Sequence, residues 1–255
     1  MNNAANGMPW AGRTQAGACR GAGSELVPAA GHGILAAFQF RRNGMSASGF
    51  SFSETIATER RDYPEWHKGR GRYAIWMIPI DCPRVLAYLD QVTRQLADLL
   101  HPSQRQPHIT LFVCGFEQER QVHNDDFTAA QLQQQIAALR ALPLSATLQI
   151  GRPDSFASAA YLSVADPDGH MHAWRSALAD GCSEIRPMVY VPHITLGLYR
   201  QRIRADKLQE RLDEVHYPSE LLLPVSRLEY ATYSSADMFG LLECRQTIQL
   251  QLQAD

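Results

Sequence analysis

Apolar residues return at helical spacing between Pro83 and Leu100, at Val85, Leu86, Leu89, Val92, Leu96 and Leu99, behind a proline suited to a helix's first turn. Just upstream, YAIWMIPI (73–80) is the short unbroken apolar run of a buried strand. The alternation continues. His108 to Cys114 is rich in β-formers, Thr128 to Leu142 reads as a helix behind NDDF, and LSATLQI (144–150) alternates like a strand. The first half therefore predicts strand, helix, strand, helix, strand.

The second half predicts the same order. AAYLSVAD (159–166) is a strand closed by the turn DPDG, His170 to Cys182 a helix, and Val189 to Tyr199 a strand. Asp206 to Val215 is the next helix, with strands near Leu223 to Tyr233 and Leu241 to Leu252. Each half contains Pro-His-Ile-Thr-Leu, at 107–111 and 192–196. From the aromatic of the preceding strand to the motif histidine is 35 residues in one half (73 to 108) and 32 in the other (161 to 193). Matching order and spacing indicate an internal duplication. We expect one domain over 63–255, an α+β chain in two lobes, about 73–151 and about 159–252, that can exchange terminal strands.

Parity on a strand gives the repeated motif its chemistry. Residues i and i+2 share a face, so His108 and Thr110 point one way while Ile109 and Leu111 anchor the core; His193 and Thr195 stand likewise against Ile194 and Leu196. Imidazole, with an unperturbed pKa of about 6.5, can serve as base in one copy and acid in another. Two such faces across a cleft suit in-line displacement at phosphorus, with threonine hydroxyls on the non-bridging oxygens. No metal is called for, since each motif brings one imidazole and no carboxylate at ligand spacing.

These two His-x-Thr-hydrophobic motifs, one per half, resemble the signature of the two-histidine phosphoesterase superfamily, which includes 2′-5′ RNA ligases and RNA 2′,3′-cyclic phosphodiesterases. The resemblance covers about residues 63–252, and its opening, DYPEWHKGRGRYAIWMIPID, looks like that of bacterial members of the ligase family. It implies a duplicated bilobal fold with two antiparallel-rich sheets flanking a central groove, helices on the outside. It implies opening of 2′,3′-cyclic phosphates to 2′-phosphates, or the reverse joining of RNA ends. His108 and His193 would be the acid–base pair, either one the base, and Thr110 and Thr195 the phosphate binders, with no cofactor.

Residues nearby extend the expectation. Lys68, Arg70 and Arg72 precede the first strand, and Arg200, Arg202 and Arg204 follow the second motif; Arg72 and Arg200 are the candidates to steer an RNA end. Tyr199 could bond phosphate or stack a base, or sit in the core, and Trp76 could stack a nucleobase or pack against a helix. His170 and His172 form a His-x-His at a helix start, where i and i+2 diverge, so it is not read as a metal site.

Residues 1–62 hold nine of the seventeen glycines and show no periodicity, so they are expected to be a disordered extension, with Met45 a candidate start and a transit peptide an alternative. Composition narrows the partners: 45% hydrophobic and 20% charged residues fit a soluble domain, and a net charge of −2 excludes binding long nucleic acid by bulk basic charge. The expected partner is an RNA end or a small cyclic-phosphate nucleotide. Five scattered cysteines suggest reduced thiols and a cytoplasmic protein, no run is long and apolar enough for a membrane span, and a monomer is expected because the duplication supplies both half-sites. A non-catalytic module holding a nucleotide in the same groove is the alternative.

Overall fold

The computed structural model describes residues 49–142, 145–180, 182–185 and 189–249. The elements run α1 (Pro64–His67), β1 (Arg72–Pro79), α2 (Pro83–Gln95), β2 (His108–Glu117), β3 (Asp126–Phe127), α3 (Ala129–Arg140), β4 (Ala146–Ser155), β5 (Ala159–Ala165), α4 (His170–Ala179), β6 (His193–Leu198), α5 (Ala205–Asp213), β7 (Leu221–Val225), β8 (Arg227–Ser234) and β9 (Glu243–Gln249). The expected order is present in both halves.

Local signals explain the boundaries. Pro83 opens α2, which buries Val85, Tyr88, Leu89 and Val92. Thr128 caps α3 in a reciprocal capping box with Gln131. The fourth helix ends at Ala179, short of the expected Cys182. Strand β1 is buried on both faces, the side chains of Ala74, Trp76 and Ile78 joining the main core and those of Tyr73, Ile75 and Met77 a smaller cluster opposite. That is why its sequence shows no alternation.

The strands form one sheet, ordered β7-β4-β5-β6-β2-β1-β8-β9, with β3 beside β2. All pairs on the main path are antiparallel. The two expected sheets are thus halves of one, meeting at β2 and β6 through the pair Ile109↔Ile194. The lobe boundaries cross in space: β4, from the first half of the chain, pairs with β5 and β7, whereas β8 and β9 return to β1. The single strand expected near Leu223 to Tyr233 is two, with Ser226 between β7 and β8. Pro224 is tolerated because β7 is the sheet's edge.

Helices α2 to α5 contribute Val92, Leu139, Trp174 and Leu208, among others, to one core cluster that also takes in Ile109, Leu111, Ile194 and Leu196. The histidine and threonine of each motif alternate with those residues and so face away from this layer. Register shifts in the β1–β2 ladder between Ala74/Ile75 and Trp76/Met77 then alter the parity of β2, so that Phe112 and Cys114 join the core while Val113 turns to the groove. Gly115, at φ 112°, lies against the backbone carbonyl of Asp125, an approach and conformation that a Cβ would forbid.

The expected disordered extension is too long. Phe50 is in the core, Thr55 and Thr58 are buried, and the amides of Thr55, Ile56 and Thr58 donate to the carbonyls of Ile203, Ala157 and Tyr199. These residues carry no periodicity because they follow the body as an irregular strap. Residues 1–48, with Met45 and the transit-peptide alternative, lie outside the described residues.

Candidate active site

The pair Ile109↔Ile194 sets the site. Residues flanking a matched antiparallel pair face each other in reverse order, which brings Thr110 beside His193 and His108 beside Thr195. All four line a groove of about 900 Å³, to which Thr93 and Arg94 of α2 and Arg175 of α4 also contribute. Each imidazole is held in the same way: Nδ1 of His108 is 2.8 Å from the carbonyl of Gln106, and Nδ1 of His193 is 2.7 Å from that of Val191. A carbonyl only accepts, so Nδ1 carries the hydrogen and Nε2 is the basic nitrogen of each neutral ring. Pro107 and Pro192 favour extended backbone in the residues before them, which are the two whose carbonyls meet the rings.

The two rings differ in their surroundings. His193 has Phe156 and Tyr161 edge-on at 5.0 and 5.4 Å, and burial lowers its pKa. His108 is pushed down to about 4, first by burial, then by the charges of Arg105 and His193, against the favourable carbonyl of Gln106.

Between Ile109 and the short pairing with β3 at Phe116, the described residues give β2 no ladder partner on the β6 side, and side chains take much of a strand's place. Arg175 of α4 donates to the carbonyl of Leu111, the amide of Val113 donates to Glu184 (3.1 Å), and the Tyr190 hydroxyl donates to the carbonyl of Thr110 (2.9 Å). Arg175 and Glu184 form an ion pair, and the guanidinium lies 3.8 Å from the Tyr190 ring centre. This bracket satisfies an open edge and fixes the backbone of one motif.

Several sequence candidates lie elsewhere. Trp76 is 0% exposed, its Nε1 donating to Gln135 (2.8 Å), and Tyr199 is 0% exposed with its hydroxyl 2.6 Å from that of Ser155. Neither has surface to offer a base: β1 is central, and Tyr199 is already past the end of β6, so the regular strand parity does not carry that far. Arg72 is exposed and pairs with Glu117 at 3.7 Å, outside the groove lining. Arg70 is buried against Asp125, Asp126 and the Phe116 ring, while Arg202 and Arg204 pair with Glu54 and Asp206. Of the two basic clusters, Arg200 lines the groove. His170 stacks on Trp174, and no metal-binding group of three His, Cys, Asp or Glu side chains occurs among the described residues.

Sequence reasoning missed Arg105, Arg175, Glu184 and Tyr190. A signal existed for two of them. The repeat extends upstream as Arg105-Gln-Pro-His108 and Tyr190-Val-Pro-His193, and the residue three before each histidine lines the groove.

Solved structures with similarity to this chain include Escherichia coli LigT complexed with 3′-AMP, 15% identical with a TM-score of 0.47, the match covering 71% of this chain and 99% of that one. A Thermus thermophilus protein is 12% identical with a TM-score of 0.48, over 71% and 100% of the two chains. The PDE domain of MHV ns2 is 14% identical at 0.42, over 64% and 99%. No curated protein matches this chain. The model of the 2′-5′ RNA ligase superfamily matches residues 82–237, a segment that includes α2 through β8 and both His-x-Thr motifs, and the chain therefore belongs to that superfamily.

Proposed function

We propose that this protein is a phosphoesterase that opens 2′,3′-cyclic phosphates, at RNA ends or on small nucleotides, to 2′-phosphates. The observation that carries the reading is the meeting of the two motifs at the β2–β6 junction, with both imidazoles anchored through Nδ1 on the wall of one groove. One Nε2 takes a proton from water as its oxygen attacks phosphorus. The other gives a proton to the departing 3′-oxygen, leaving a 3′-hydroxyl and a 2′-phosphate. Thr110 and Thr195 hold the non-bridging oxygens. Joining of RNA ends through a 2′-5′ linkage is the same ring opening, with the 5′-hydroxyl of a second RNA end attacking phosphorus in place of water.

Supporting the reading, anchoring at Nδ1 pre-sets tautomer and ring orientation, so little motion is needed at the moment of reaction. The scheme requires no metal and no cofactor. Its test is incubation of the purified protein, in EDTA, with nucleoside 2′,3′-cyclic monophosphates and a short RNA ending in a 2′,3′-cyclic phosphate, with chromatographic identification of products. A 2′-phosphate product is expected. Binding of these compounds without turnover would favour the non-catalytic module, and turnover that EDTA abolishes would contradict the scheme.

A further inference from the structure

The groove carries a guanidinium stacked on a tyrosine at two places, and they differ in charge balance. Arg175 lies over Tyr190 at 3.8 Å and is neutralised by Glu184. Arg105 lies over Tyr233 at 3.9 Å, and among the described residues no carboxylate pairs with it. Its Nε donates to the carbonyl of Gly240 at 3.3 Å, while its Nη2 is buried with no hydrogen-bond partner among the described residues. Such a group is uncommon: an uncompensated buried donor on a cation is costly, and here it stands near an imidazole whose protonation it opposes. Three-residue spacing from His108 sets it at the groove wall. Tyr190 holds the matching position in the other motif, but its hydroxyl is spent on the Thr110 carbonyl.

We propose that Arg105 is the anion-binding cation of the groove, held by Tyr233 and Gly240 to meet a phosphate oxygen of the nucleotide ligand. This rests on the groove being the nucleotide site. The arriving oxygen supplies the counter-charge that the guanidinium lacks among the described residues. A guanidinium suits the role, because one edge is fixed by the Gly240 carbonyl while the charge remains directed at the groove.

The test is calorimetric titration of adenosine 2′-monophosphate, with adenosine as the uncharged control, into wild type, Arg105→Gln and Arg105→Lys. Loss of a charge-assisted bond predicts affinity for the monophosphate falling about tenfold or more in Arg105→Gln, with the adenosine response unchanged. Arg105→Lys, which keeps the charge without the fork, should fall between, and it carries the comparison alone if Arg105→Gln does not fold. Unchanged monophosphate affinity in the variants overturns the proposal, as does an equal loss for adenosine or no measurable binding by the wild type. Binding is read separately from turnover, so a wild type that binds the monophosphate through Arg105 yet opens no cyclic phosphate would count against the proposed reaction and not against this site.

Discussion

Replacing His108 by Gln should flatten the acid end of the protein's stability curve. The His108 ring is pushed down to about 4 in the folded protein, with burial the main cause, against about 6.5 in an unfolded chain. Between those values the unfolded chain binds a proton at this side chain and the native state does not, so stability falls as pH falls. The slope is about 1.4 kcal/mol per pH unit for one group. Above about pH 6.5 the effect is absent, and below about pH 4 it is complete, reaching a ceiling of roughly 3 kcal/mol because the ring still meets water in the groove. Urea denaturation of wild type and His108→Gln at pH 7 and pH 4.5 measures it. Titration of groups common to both proteins cancels in the difference. Wild type should lose about 2 kcal/mol more than the variant over that range. Parallel losses, within about 0.5 kcal/mol, would refute the argument that protein burial governs this imidazole.

Other outcomes follow from the same geometry. Because burial lowers both histidines, kcat/KM for a cyclic phosphate should be bell-shaped with its maximum on the acid side of about pH 6.5; an optimum above pH 8 would contradict the paired-imidazole assignment. Glu184→Ala strands the Arg175 guanidinium and the Val113 amide and should cost about 2–4 kcal/mol by urea melts, with less cost when Arg175→Met is added; equal or greater cost in the double variant would show that the pair is not coupled. Gln135→Leu removes the acceptor of the Trp76 indole and the donor to the Leu178 carbonyl, both fully buried, and should lower stability by about 2–4 kcal/mol, a value that a loss under 1 kcal/mol would exclude.

Much of the candidate site was legible because it is local. A period of two on a strand fixes which face His108 and Thr110 share, whatever the strand pairs with, and the duplicated pentapeptide marked both strands. The alternation of strands and helices was equally local, since caps such as Thr128 and Pro83 act within a turn. What failed to show was set by distant partners. Trp76 and Tyr199 look like ring platforms in sequence, yet strand neighbours on both sides of β1 and the hydroxyl of Ser155 close over them. An exchange of terminal strands between the halves was open from the sequence, but which partners β4 and β8 take is a choice that the apolar pattern does not encode. Phe50 reads as part of a glycine-rich extension because an irregular strap has no period. Arg105 and Arg72 look alike on paper, and only the fold sends one to the groove and the other to Glu117.

The central claim is that His108 and His193 work as one acid–base unit. Its most direct measurement is the turnover of a nucleoside 2′,3′-cyclic monophosphate by wild type, His108→Ala, His193→Ala and the double variant, each checked for folding by circular dichroism. Groups acting as a unit are strongly non-additive, so each single variant should lose at least about a hundredfold in kcat and the double variant little more. Near-normal turnover in either folded single variant, or losses that multiply in the double, would contradict the account.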